Sequence, residues 1–132
     1  MEFNQPKGIY QQIADQVCDR ILQREWNGGE RIPSIRELAV NLGVNPNTVT
    51  RSYQSLMERE IIENRRGIGY FVTEQAEKNI LQERKSEFIR EELPSLFRTM
   101  QLLEIGIEEI REYYTKFKEE VGEDEPQKDE KE

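Results

Sequence analysis

Ser34-Ile35-Arg36-Glu37-Leu38-Ala39-Val40-Asn41-Leu42-Gly43-Val44-Asn45-Pro46-Asn47-Thr48-Val49 is the stretch that decides the fold of this chain. Ser34 and Glu37, three residues apart, match a capping box, in which each side chain satisfies a free backbone donor of the other residue. Ile35, Leu38, Ala39 and Leu42 line one face of the helix that follows, and Gly43 stops it. Helix restarts at once. Asn45 can cap, and Pro46 suits a first turn because its missing N–H would be unpaired there anyway. Val49, Tyr53, Leu56 and Met57 form the inward face of this next helix. Two short helices joined by a tight glycine turn are the core of a helix-turn-helix. Ala39 is small where the second helix crosses it, Gly43 supplies positive φ, and Val49 packs back into the angle.

Working outward, residues 6–26 begin with Pro6 and carry Ile9, Ile13, Val17 and Ile21 at i+4 spacing, one apolar stripe on an amphipathic helix. Asn27-Gly28-Gly29 is expected to end it, and Glu30-Arg31-Ile32-Pro33 suits only a small strand. On the other side, Ile61-Ile62 and Tyr70-Phe71-Val72 read as short strands, with Arg65-Arg66-Gly67-Ile68-Gly69 as the hairpin loop between them. A helix before and a hairpin after make this the winged variant, expected over residues 1–73. The fold class is mainly α with a small β-hairpin, a winged helix-turn-helix followed by a C-terminal helical dimerisation region.

That region is expected over residues 74–121. Ala76, Ile80, Leu81 and Phe88 predict a helix to about Leu93, where Pro94 breaks or restarts it. Leu96, Met100, Leu103, Ile107, Ile110, Tyr114, Phe117 and Val121 then follow at spacings of 4-3-4-3-4-3-4, a heptad seam. The seam can pair with the 75–93 helix of its own chain or with a partner subunit. Leu96, Met100, Leu103, Ile107, Ile110, Tyr114 and Phe117 are the expected dimerisation residues. Residues 122–132 are almost wholly polar and charged, and a disordered acidic tail is expected there.

Composition narrows the function. The chain has 132 residues and a net charge of −8, no histidine, and Cys18 as its single cysteine. This excludes zinc fingers, Ser-His or Cys-His catalysis and an internal disulfide framework. No enzyme is expected, and no cofactor or metal. No apolar run reaches the roughly 18 residues that span a membrane. Met1-Glu2-Phe3-Asn4-Gln5 lacks a signal-peptide pattern, so a cytoplasmic location is expected. The charge is split: residues 1–73 hold nine Lys/Arg and nine Asp/Glu, whereas residues 74–132 hold ten and eighteen. The acidic balance belongs to the C-terminal half and does not argue against nucleic acid at the winged half.

At 100° per residue, Arg51 lies nearly opposite the inward face of its helix, flanked by Asn47, Thr48, Gln54 and Ser55. These are hydrogen-bonding side chains and one arginine, with no acid among them. Such a face suits a major groove, where arginine pairs with guanine O6 and N7 and amides with adenine N6 and N7. The alternative is a solvated face, which in this glutamate-rich chain should contain Glu or Lys. Arg65, Arg66 and Gly67 at the hairpin tip suit phosphates or a minor groove. Arg36 sits in a helix first turn, where phosphate is favoured, unless it pairs with Glu37 or Glu30. Arg31 and Arg59 are read as structural. A winged-helix module that binds proteins and no DNA is the competing reading.

Gly29-Glu30-Arg31-Ile32-Pro33-Ser34-Ile35-Arg36-Glu37-Leu38-Ala39, Leu42-Gly43-Val44-Asn45-Pro46-Asn47-Thr48-Val49 and Gly67-Ile68-Gly69-Tyr70-Phe71-Val72 together resemble the DNA-binding domain of GntR-type bacterial transcription regulators. The resemblance covers roughly residues 6–73, and the short helical tail resembles the YtrA-type branch. It implies a homodimeric regulator, a repressor, with double-stranded DNA as partner. It also implies DNA contacts at Arg36, Asn47, Thr48 and the wing around Arg66 and Gly67; Arg51, Gln54 and Arg65 join them from the residue reading above. Pro46 and Thr50 stand where many members have arginine, and Glu60 replaces the usual glycine after the recognition helix. The residues after the winged domain leave no room for a globular ligand domain, so no small-molecule effector is identified. Tyr113, Tyr114 and Phe117 are read as seam.

Overall fold

The computed structural model describes residues 7–122. Pro6 and the expected acidic tail lie outside the described residues, except Gly122. The chain divides into two compact units, Met1–Ser86 and Glu87–Glu132.

In the first unit, α1 (Ile9–Leu22) buries Ile13, Ala14, Val17, Cys18 and Ile21, the stripe that its spacing predicts; Ile9 stays exposed. The helix ends about a turn before Asn27-Gly28-Gly29, where the sequence placed its end. Arg24 takes a left-handed conformation (φ 69°), and the Arg20 guanidinium reaches across the reversal to Glu25 at 2.7 Å and stacks over Trp26. A side-chain clasp therefore ends α1. Gly29 instead serves the sheet, its N–H donating to the Val72 carbonyl at 2.7 Å.

Both helices of the central motif form as their caps dictate. The Ser34 hydroxyl accepts from the Glu37 N–H at 3.0 Å, and the Glu37 carboxylate accepts from the Ser34 N–H at 2.9 Å. α2 (Ile35–Leu42) then stops at Gly43, whose φ of 69° is left-handed. The Asn45 side chain accepts from the Asn47 N–H at 2.7 Å and starts α3 (Pro46–Glu58).

β1 (Arg31–Ile32), β2 (Ile62–Arg65) and β3 (Gly69–Val72) form an antiparallel sheet of order β1-β3-β2, so the hairpin gains a third strand. The register pairs Arg65 with Gly69, which shortens the connecting turn to residues 66–68. One core joins α1, α2, α3 and the sheet, with Val49, Tyr53, Leu56, Ile61 and Val72 at its centre. Ala76 and Ile80 of α4 (Ala76–Glu87) belong to the same core. The first unit thus runs past residue 73, where the sequence set its boundary.

In the second unit the helical path follows the expected one at Pro94 and departs from it at the seam. Pro94 restarts the helix, the second of the two expected outcomes: a π-helical turn at Phe88–Glu92 leads into α5 (Leu93–Leu103), which carries Pro94 in its first turn. Proline removes an N–H and crowds the carbonyl four residues back, and the wider π turn accommodates this. The heptad seam, in contrast, is not one helix. Glu104 is left-handed (φ 57°), the Ile105 N–H closes back on the Met100 carbonyl at 2.8 Å, and α6 begins only at Ile107 (Ile107–Gly122). Apolar spacing counts residues and is blind to a backbone break that preserves the count. Gly106 was the available signal, since glycine inside a helix costs about 1 kcal/mol relative to alanine.

Glu60, at the exit of α3, is also left-handed (φ 60°), in the position where the GntR resemblance expects glycine. A Cβ at Gly43 would meet nothing within 4 Å, so conformation alone sets the cost of a side chain there. A left-handed L-residue costs about 1–2 kcal/mol, partly offset by the greater freedom of glycine in the unfolded chain. Glu60→Gly is therefore expected to raise the unfolding free energy by about 1 kcal/mol, and Gly43→Ala to lower it by about 1 kcal/mol. Urea titrations of both variants check this pair of signs.

Candidate nucleic-acid interface

The recognition helix is held by its buried side. Val49, Ser52, Tyr53 and Leu56 are fully buried. The Tyr53 hydroxyl donates to the Pro33 carbonyl at 2.7 Å, and its ring meets Tyr70 edge-on at 4.9 Å between centroids. Burial pushes the Tyr53 phenol well above its ordinary range, which keeps it a hydrogen-bond donor. The Ser52 hydroxyl lies 2.7 Å from the Tyr10 carbonyl and 3.1 Å from that of Thr48, fastening α3 to α1. Nothing in the apolar spacing flagged Ser52. A small hydroxyl beside Tyr53 was the only hint of a close helix crossing.

With that side seated, Asn47, Arg51 and Gln54 are exposed and Thr48 is half-buried. Ser55, expected beside Arg51, accepts from the Arg59 guanidinium at 3.1 Å. Arg51 is braced: its guanidinium stacks over the Tyr10 ring at 4.0 Å. The sequence reading missed Tyr10, which lies one residue off the α1 stripe. A guanidinium flat on an aromatic face keeps its edge donors available while losing rotamer freedom.

The wing distinguishes its two arginines. Arg65 pairs with Glu63 at 2.9 Å and stacks over Phe71 at 4.0 Å, so it is tied into the hairpin. Arg66 is exposed and makes no ion pair among the described residues. The Ile68 N–H donates to the Arg65 carbonyl at 2.8 Å, with positive φ at Gly67 (77°), a type II turn that places Arg66 at its outer corner. Arg36, in the first turn of α2, is likewise exposed and pairs with neither Glu37 nor Glu30. It borders an open groove of about 490 Å³ lined also by Pro33, Glu37, Val40 and Asn41.

Other polar groups serve the scaffold. Arg59 reaches Glu83 at 2.8 Å, and Arg31 packs its guanidinium against Gly69, where a Cβ would come within 2.8 Å of it. Cys18 is buried, and burial raises its thiol to about 11, so it stays protonated at neutral pH. Among the described residues no cluster of His, Cys, Asp and Glu could hold a metal, and no helix is long and apolar enough to cross a membrane.

An N-terminal helix, a capped helix pair with one polar exposed face, and an arginine-tipped hairpin define a winged helix-turn-helix. Residues 9–72 match the gntR family of bacterial regulatory proteins. The HTH-type transcriptional regulator YhcF of Bacillus subtilis is 40% identical over 111 residues, 84% of this chain and 90% of YhcF. The HTH-type transcriptional repressor YtrA of the same organism is 36% identical over 105 residues, 80% of each chain. The crystal structure of a GntR-family regulator from Bacteroides thetaiotaomicron superposes with a TM-score of 0.77 at 46% identity, over 86% of this chain and 99% of that one. The chain belongs to the GntR family. It is a DNA-binding transcription regulator and not an enzyme.

The seating of α3 predicts its own weak point. Tyr53→Phe leaves the Pro33 carbonyl without its partner and is expected to cost about 1–3 kcal/mol of unfolding free energy. Chemical denaturation checks the size of the loss, and a variant as stable as wild type would show that the hydroxyl contributes nothing.

Proposed function

We propose that this regulator is a cytoplasmic repressor that binds a two-fold operator as a homodimer, with α3 reading bases in the major groove and the wing contacting the flanking backbone or minor groove. The observation that carries the reading is the exposed face of α3. Asn47, Arg51 and Gln54 stand there with no acidic residue until Glu58. Arg51, braced by Tyr10, reads a base; Arg66 and Arg36 contact phosphate, and Gly67 lets the wing backbone approach closely. Asn47 and Thr48 contact DNA at the start of α3. Arg65 acts on DNA chiefly by stiffening the wing. The likeness to YtrA, itself a repressor, supports the negative mode of regulation.

The second unit supports the dimer. Leu103, Ile107, Tyr114 and Phe117 are each between 55% and 60% exposed in the single chain. Leu96 is also exposed, Ile110 is half-buried, and Met100 is buried. A helical surface this apolar is expected to be covered by a second copy. Selection of preferred duplexes from a random pool tests the operator: inverted repeats are expected, and enrichment of single, unrepeated sites would refute two-fold binding.

Arg51→Ala is expected to cost about 1–3 kcal/mol per half-site on the selected duplex and to relax its sequence preference. An equal loss on random DNA would reduce Arg51 to a phosphate contact. Arg66→Ala is expected to lower the slope of log K against log salt by about 0.9 per bound wing, whereas Arg65→Ala changes the slope less. Equal changes in the two variants would remove the distinction drawn between these arginines.

Ile107→Asp places a charge in the proposed dimer surface and is expected to yield monomers by sedimentation. Helix content should persist, because the first unit has its own core. Uncoupling two half-sites should lower operator affinity by roughly 10²-fold or more. A dimer of wild-type affinity would place the interface elsewhere.

A further inference from the structure

The exit of the recognition helix is held by α4 through polar bonds that no DNA contact requires. The Asn79 amide donates to the Glu60 carbonyl at 3.2 Å and to the Arg59 carbonyl at 3.4 Å. The Glu83 carboxylate accepts from the Arg59 guanidinium at 2.8 Å, and Arg59 in turn reaches Ser55 one turn back in α3. The Thr73 hydroxyl, just before α4, donates to the Glu60 carbonyl at 2.8 Å. The last carbonyls of α3 are closed by the chain's own backbone, the Glu60 N–H on Met57 and the Ile61 N–H on Leu56, so these side-chain bonds fasten the reversal just past the helix. They also hold Glu60 in its left-handed conformation (φ 60°). Only Ala76 and Ile80 of α4 are fully buried, which leaves its angle to α3 largely to the polar bonds.

We infer that Asn79 and Glu83 are positioning residues for DNA reading: they set the angle at which α3 presents Arg51, Gln54 and Asn47, without touching DNA themselves. This rests on the proposal that α3 reads bases. A base edge accepts a guanidinium or amide only in a narrow geometry, whereas phosphate accepts a cation from many directions. Loss of these bonds therefore weakens binding to a preferred sequence more than binding to arbitrary DNA. A second polar pair on α4 supplies the control. Arg84 meets Asp19 at 2.8 Å and the Asp15 carbonyl at 3.3 Å, which ties α4 to α1 and not to α3.

The experiment compares Asn79→Asp, Glu83→Gln and Arg84→Gln in the full chain. Asn79→Asp keeps the side chain's shape and removes its donated bonds. Affinity is measured for a duplex selected by the wild-type protein and for a random duplex of the same length, below each variant's melting temperature. Asn79→Asp and Glu83→Gln are expected to lose about 2-fold to 30-fold in the ratio of selected to random affinity, the range that such coupled networks carry. Arg84→Gln is expected to leave that ratio unchanged even where its melting temperature falls as far. Should Asn79→Asp unfold at the assay temperature, Glu83→Gln decides the matter alone. A wild-type ratio in the folded variants, or an equal loss in Arg84→Gln, overturns the inference. A wild-type protein that discriminates no duplex would instead defeat the base-reading proposal beneath it.

Discussion

The buried hydroxyl of Tyr53 is the constraint on which the winged unit depends. A phenol taken fully out of water without a partner costs several kcal/mol. Here it has one acceptor, the Pro33 carbonyl at 2.7 Å, in the link between β1 and α2. The same ring meets Tyr70 of β3 edge-on, so one side chain of α3 touches both the entry to α2 and the wing. Rotating α3 would break that bond and bury an orphaned donor. The bond therefore fixes the rotation of α3 about its own axis, and with it which residues face outward.

Arginine in the winged unit is divided by what surrounds it. Arg20, Arg59 and Arg65 meet Glu25, Glu83 and Glu63 and serve a loop clasp, a helix exit and a hairpin. Arg36 and Arg66 have no ion-pair partner among the described residues, and Arg51 is exposed and stacks on Tyr10. Net charge near zero over the first 73 residues conceals this division. Paired glutamates cancel scaffold arginines locally, which leaves positive charge on the α3 face at Arg51 and at the wing tip at Arg66. Electrostatic attraction to a polyanion depends on that distribution and not on the sum.

Much of this was legible locally. Ser34 with Glu37, Gly43, and Asn45 with Pro46 act over three or four residues, and the helix pair formed where those signals put it. The two arginines of the wing were legible as a pair but not as unequal, because Glu63 and Phe71 become neighbours of Arg65 only once the hairpin is closed. Tyr10 and Arg51, far apart along the chain, gave no periodic sign of their stacking. The seam from Leu96 to Val121 was legible as an apolar pattern and misleading as a helix, since Glu104 and Gly106 interrupt the backbone without disturbing the count.

The amino-acid sequence by itself determined where helices begin and end in the central motif, which faces are apolar, and the family the chain belongs to. All three are carried by short-range chemistry: caps, glycine conformation and side-chain period. Only the tertiary structure decided that α4 joins the winged core, that Asn79 and Glu83 bond to the exit of α3, and which arginines lack an ion-pair partner among the described residues. Those outcomes depend on pairs such as Arg59 and Glu83, or Ser52 and the Tyr10 carbonyl, distant along the chain and adjacent only after packing. No local pattern records such a pair, because its energy exists only when the elements that carry it have already met.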